Sequence, residues 1–351
     1  MLIYSPIVEA CKGYLKKLSE SGAMCYGEEF QDTKGGTWQV GKEEISYHAL
    51  PFRVPPKEDA LNKLWTDGAI NRQSVNKGKG SPLNPIPLDS HKDVKPVTCH
   101  SHNDYDREVP LFQALAAGCV SIEADVWYIN DDEVDIGHAL PTLGRSLRSH
   151  YIEPLREILD HNNDGADGNL GIFKAKPDQS FTLLVDFKTK NTKTLDAVVS
   201  SLEPLREKGY LSYVDGDQFI ERQITIVASG SAPFDRVASG DGIPDRDVLY
   251  DAHADDLGGQ DYSTLNSYYA SADYANVDQN AIEQQVTKAH EIGLKVRYCE
   301  YIRSSQITGT HITNSLTGGL PSEDIWEDLI GHGVDRLNAD DMSNTARLPR
   351  L

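Results

Sequence analysis

The feature that most constrains the fold is a change of texture at Val97, after which short apolar, β-branched runs alternate with stretches of helical period. The runs are VTCH (97–100), SIEADV (121–126), FTLLVDFK (181–188), ITIVAS (224–229), VLYDA (248–252), YYASADYA (268–275), LKVRYCEYI (294–302) and VDRLNAD (334–340). Between them VPLFQALAAG, TLDAVVSSLEPLREKG, NAIEQQVTKAHEIG and SEDIWEDLIGHG each run to a glycine, a frequent helix stop. Asn280 and Ser322 are candidate N-caps for the last two. Strands separated by helices need crossover connections, hence a parallel sheet. Eight such strands in about 250 residues are the count of an α/β (β/α)8 TIM barrel. The competing open doubly wound sheet would carry a Gly-rich phosphate loop after its first strand, and none is present.

Residues 1–93 read as an N-terminal extension, an arm and linker ahead of the barrel at 94–351. The tract SVNKGKGSPLNPIPLDSHKD is irregular by composition. Tyr14, Leu15, Leu18, Trp38 or Trp65 could dock on a barrel helix, and residues 70–93 read equally well as a disordered leader. Charge excludes some partners. With 34 Lys and Arg against 54 Asp and Glu, the chain carries −20 and has no basic stripe, which argues against nucleic acid. No run approaches the roughly 18 apolar residues of a transmembrane helix. The opening MLIYSPIVEACKGYLKKLSESG reads as an amphipathic helix rather than a secretory signal. The five cysteines are few, odd in number and widely spaced, so no disulfide framework or zinc pattern is expected. Together these give the expectation of a reduced, cytoplasmic protein, with a secreted or mitochondrial one as the alternatives. The oligomeric state has no signature in the sequence.

A (β/α)8 barrel keeps its chemistry at the C-terminal ends of its strands. The first strand there ends in His100-Ser101-His102-Asn103-Asp104, the second carries Glu123 and Asp125, and the third Asp186 and Lys188. Positions two apart on a strand share a face, so Glu123 and Asp125 point together into the lumen while Ile122, Ala124 and Val126 point to the helices. Two carboxylates there need a cation between them. A divalent metal ligated by Glu123, Asp125 and Asp186 is one answer, and a metal-free charge network with Lys188 is the other. His138 follows a turn at Asn130-Asp131-Asp132 that returns the chain toward the mouth. With His100 it makes two imidazoles for general acid–base work, the division of labour that suits phosphodiester cleavage. His102 is a candidate phosphate contact or an orienter of His100, and Asn103 a candidate substrate contact or a helix cap. Asp251, Tyr298, Glu300 and Asn338 are candidates for lining the substrate end, Tyr298 and Glu300 on a shared face.

These residues resemble a known group. CHSHNDYDREVPLFQALAAGCVSIEADVWYINDDEVDIGH is similar to the opening of the phospholipase-C-like phosphodiesterase superfamily, which contains the glycerophosphodiester phosphodiesterases and the sphingomyelinase D toxins. LLVDFKTK, EPLREKGYL, LNSYYASA and VDRLNADDM resemble segments of its fungal altered-inheritance-of-mitochondria branch. The resemblance implies Mg2+ or Ca2+ on Glu123, Asp125 and Asp186, acid–base roles for His100 and His138, and a phosphate contact at Lys188. It further implies hydrolysis or cyclisation of a phosphodiester, either a small molecule or a lipid headgroup. Two departures stand out. His100-Ser101-His102 replaces the usual His-Arg-Gly, and YCEY at the seventh strand has no counterpart of a tryptophan frequent in related enzymes. Such changes leave room for a biosynthetic lyase or cyclase acting on a non-lipid metabolite, or for a non-catalytic scaffold.

Overall fold

The computed structural model describes residues 36–40, 43–47, 83, 86–129, 133–141, 145–166, 169–274, 277–299, 322–340, 342, 345 and 348–351. Eight strands close into a ring: β1 (Val97–Ser101), β2 (Cys119–Tyr128), β3 (Phe181–Phe187), β4 (Ile224–Gly230), β5 (Val248–His253), β6 (Ser267–Asp273), β7 (Lys295–Cys299) and β8 (Arg336–Ala339). Each pairs in parallel with the next, and β8 pairs with β1 to complete a (β/α)8 TIM barrel. The β5–β6 connection contains no helix, and a short antiparallel strand, Val134–Ile136, is added to the upper end of β2. A separate two-stranded hairpin, Gly36–Val40 with Glu43–Tyr47, lies in the N-terminal region.

The strands alternate as their sequence directs. On β2, Ile122, Ala124 and Val126 are fully buried in the core between strands and helices. Burying such side chains yields roughly 1.5–3 kcal/mol apiece for the larger ones. A second, smaller core fills the lumen with Leu184, Val227, Leu249 and Tyr269. Val214 and Phe219 join it from a small hairpin that precedes β4 and closes the barrel's lower end. The apolar interior therefore lies low, and the polar residues sit above it at the C-terminal mouth.

Local chemistry sets the element ends. The helix Phe112–Ala117 stops at Gly118, whose φ of 88° is left-handed and where a Cβ would lie 2.8 Å from the Lys95 carbonyl oxygen. TLDAVVSSLEPLREKG forms two helices, Thr192–Ser201 and the single turn Glu203–Arg206, because Pro204 has no N–H to continue the ladder. Asn280 is not the expected cap. The α-helix starts at Ile282 behind a 3-10 turn, and the Asn280 backbone and side-chain amides both donate to Asp278 Oδ1 at 3.0 Å, so Asp278 holds the helix entry. The side chain of Ser322 is outside the described residues.

Part of the stretch left undecided by sequence packs on the barrel. Leu83 is buried in the main core, with Ile86, Leu88 and Val94 against it. His91 is buried, its Nε2 3.1 Å from the Ile172 carbonyl and its ring edge-on to Phe173. Tyr14, Leu15, Leu18 and Trp65, and the side chain of Trp38, lie outside the described residues. The expectation that the cysteines are reduced is corrected at one pair: Cys99 on β1 and Cys119 on β2 form a disulfide. Their separation of 20 in sequence hides that their Cα atoms are 4.4 Å apart across neighbouring strands. The expectation of a reduced, cytoplasmic protein loses that support. Among the described residues no helix is long and apolar enough to cross a membrane.

Candidate active site

The mouth is built from consecutive strand ends. The register places Asp125 of β2 beside Asp186 of β3, and Asp186 beside Ser229 of β4. Ser229 Oγ donates to Asp186 Oδ2 at 3.0 Å. The next residue is Gly230, at φ 64°, where a Cβ would fall 2.6 Å from Asp186 Oδ1. Only glycine leaves that carboxylate its space. On the other side, Asn338 of β8 is level with His100 of β1, and His100 with Ser121 of β2.

Lys188 joins the carboxylates. Its Nζ lies 2.8 Å from Asp125 Oδ2 and 2.9 Å from Asp186 Oδ1. Burial works against its charge, but the two aspartates outweigh burial and raise its pKa. Val134–Ile136 returns the chain so that His138 Nδ1 comes within 3.2 Å of Asp125 Oδ2, as the expected turn requires. The residues of that turn, 130–132, are outside the described set. His138 is half-exposed, and its hydrogen bond to Asp125 raises its pKa. Asp125 is itself raised, by burial and by the Glu123 and Asp186 charges, against the pull of His138 and Lys188.

Glu123 is shared by two imidazoles. His100 Nε2 is 3.6 Å from Glu123 Oε2, and His102 Nε2 is 3.7 Å from it. The two rings differ in setting. His100 is completely buried, with Nδ1 2.7 Å from Ser121 Oγ, and Tyr269 donates its hydroxyl proton to that same Oγ at 3.1 Å. Burial, helped by the Arg297 guanidinium, pulls His100 down to about 4. His102 is 20% exposed and has Nδ1 2.8 Å from Asp340 Oδ1. Burial alone would lower its pKa, but Glu123 and Asp340 carry it up to about 9. Burial also works to raise Glu123, and His102, His100 and Arg297 together hold it well below the usual carboxylate range. Asn103 adopts a left-handed backbone, φ 45°, and brings its N–H to 3.5 Å from Glu123 Oε2.

Strand β7 departs from expectation. Tyr298 does not line the mouth: it is buried in the outer core and its hydroxyl donates to Gln285 of the preceding helix. Val296 and Tyr298 supply the helix-facing apolar positions, so Arg297 is the residue that turns inward. Glu300 lies outside the described residues. Arg297 gathers the remaining candidates. Its Nη2 donates to Asp251 Oδ2 at 3.1 Å, its Nη1 to Asn338 Oδ1 at 3.3 Å, and its Nε to Ser271 Oγ at 3.2 Å. Nη1 also lies 3.5 Å from His100 Nε2. A charge-complementary pair, Arg297 and Asp251, was the available sequence signal. Tyr105, also unmarked by sequence, places its hydroxyl 2.7 Å from Asp125 Oδ2.

Thus His100, His102, Asn103, Glu123, Asp125, His138, Asp186 and Lys188 share one mouth, with Asp251 and Asn338 tied to it through Arg297. Among the described residues no three His, Cys, Asp or Glu side chains converge as a ready metal cage. Lys188 already stands between two of the carboxylates. The donor chemistry still suits a hard divalent cation on one specific count. Asp125 Oδ1 is buried and has no hydrogen-bond partner among the described residues, whereas Oδ2 takes every donor.

Barrel and mouth together define a (β/α)8 barrel with a charged, histidine-bearing layer at the C-terminal ends of its strands. The model of the AIM6-like phosphodiesterase domain matches residues 88–251. The altered inheritance of mitochondria protein 6 homolog of Arthroderma benhamiae is 32% identical over 295 residues, 75% of this chain and 87% of that protein. Altered inheritance of mitochondria protein 6 of Eremothecium gossypii is 32% identical over 281 residues, 73% of this chain and 70% of that one. Its Saccharomyces cerevisiae namesake is 37% identical over 163 residues, 42% of each. The chain belongs to the altered inheritance of mitochondria protein 6 family. Among solved structures, a glycerophosphodiester phosphodiesterase from Thermotoga maritima aligns with 72% of this chain and 97% of its own, at 14% identity and a TM-score of 0.37. At that score it has no bearing on the site.

Proposed function

We propose that this domain is a divalent-metal-dependent phosphodiesterase with a two-histidine acid–base mechanism. One observation carries the reading: the Glu123–Asp125 pair on β2 has an imidazole at each carboxylate, His100 at 3.6 Å and His138 at 3.2 Å. His100 is the base and takes the proton of the attacking hydroxyl as its oxygen bonds to phosphorus. His138 is the acid and gives a proton to the leaving oxygen as the other P–O bond breaks. The roles exchange if the substrate binds in the opposite sense. Where the nucleophile is a hydroxyl of the substrate the product is a cyclic phosphate, and where it is water the product is a monoester. Lys188 and His102 supply positive charge to the phosphate oxygens. Mg2+ or Ca2+ held by Glu123, Asp125 and Asp186 would add to that neutralisation when bound. The substrate class is a glycerophosphodiester, a lysophospholipid-like headgroup or another small phosphodiester, consistent with a mouth that alternates cations and carboxylates.

The test is an assay on such diesters with single histidine variants. His100→Ala and His138→Ala should each reduce kcat by about 10²–10⁴-fold while the melting transition remains cooperative. Full activity in either variant contradicts the mechanism.

A further inference from the structure

Tyr105 sits in the short 3-10 turn Asp104–Asp106 that follows β1, with its ring buried in the main core. Its hydroxyl lies 2.7 Å from Asp125 Oδ2, 2.5 Å from Asn103 Oδ1 and 3.3 Å from His138 Nδ1. A phenol has one proton to give, and a carboxylate is a stronger acceptor than an amide. Asp125 Oδ2 thus receives Tyr105 in addition to Lys188 at 2.8 Å and His138 at 3.2 Å. Three donors crowd one oxygen of a fully buried carboxylate, and the other oxygen has no partner among the described residues. Leaving such an atom unpaired costs about 1–3 kcal/mol or more, so the asymmetry calls for a reason.

We propose that Tyr105 is a positioning residue for cation binding: its phenol fixes the rotation of the Asp125 carboxylate and so keeps Oδ1 as the oxygen available to a divalent cation. This rests on the cation reading given above and adds a residue that does not itself ligate. A phenol keeps its proton at neutral pH and so remains a donor. Partners of this kind orient ligating groups, and their removal weakens metal affinity by about 10–100-fold.

A merely structural role for the turn is the competing explanation, and Tyr151 provides the control. Its hydroxyl donates to Asp104 Oδ2 at 3.0 Å, anchoring the same turn from the other side without touching Asp125. Mn2+ binding is measured on the full chain by electron paramagnetic resonance, with Mg2+ as competitor, for the wild type, Tyr105→Phe and Tyr151→Phe. Melting of the metal-free proteins is recorded alongside. The expected result is a Kd for Mn2+ weakened about 10–100-fold in Tyr105→Phe and unchanged in Tyr151→Phe, even where both lower the melting temperature. Wild-type affinity in Tyr105→Phe, or equal weakening in Tyr151→Phe, overturns the positioning role and leaves the cation reading standing. Failure of the wild type to bind Mn2+ at millimolar concentration overturns the cation reading, and the role of Tyr105 with it.

Discussion

Arg297 shows how one residue can hold a mouth together. The residue is nearly inaccessible, 3% exposed, and its guanidinium meets side chains from β1, β5, β6 and β8. A buried pair such as Arg297–Asp251 contributes little net stability, because desolvation offsets the attraction, but breaking it leaves a bare charge. Arg297→Met should therefore cost about 3–5 kcal/mol by denaturant titration, and adding Asp251→Asn should recover a large part of that. A single-variant cost below about 1 kcal/mol would show that Arg297 behaves as a surface ion pair does. The inward turn of Arg297 was hard to foresee. LKVRYCEYI alternates polar and apolar residues weakly, so either phase of the strand reads plausibly. Tyr298 and Glu300 looked like the mouth-facing pair because both carry polar groups, yet the helix layer claimed the Tyr298 ring.

At the scale of elements, legibility followed periodicity. All eight strands were evident from the alternation of β-branched runs with helical stretches, and β2 kept the predicted face for Glu123 and Asp125. Helix entries were less evident because a cap depends on which of several Asx side chains the turn geometry selects, as Asp278 over Asn280 illustrates. Pairings across the sheet were not evident at all. Cys99 and Cys119 are distant in sequence and become neighbours only once β1 and β2 align. Closing a loop of that size should stabilise the fold by about 3 kcal/mol through the unfolded chain. The Cys99→Ala/Cys119→Ala double variant should accordingly melt lower than the oxidised protein, and reducing agent should lower the wild type's melting temperature to a similar degree. Insensitivity of the wild type to reductant would show that the bond contributes no stability.

For the whole molecule, the division between a low apolar lumen and a polar mouth separates what stabilises the barrel from what it does. The lumen core of Leu184, Val227, Leu249 and Tyr269 is laid down below the charged layer, so the mouth's desolvation cost falls on a scaffold already closed. Chelation should consequently remove activity with little effect on the fold: EDTA abolishes turnover, Mg2+ restores it, and far-ultraviolet circular dichroism remains the same in both. Activity indifferent to EDTA would leave Lys188, already between Asp125 and Asp186, as the cation that joins those two carboxylates. The most direct measurement is phosphorus NMR of glycerophosphodiester and lysophospholipid substrates incubated with the full chain and Mg2+. The account predicts that a diester resonance is lost to a cyclic phosphate or monoester, and that His100→Ala and His138→Ala each prevent it. Diester resonances that persist unchanged with the folded, Mg2+-supplied wild type would contradict it.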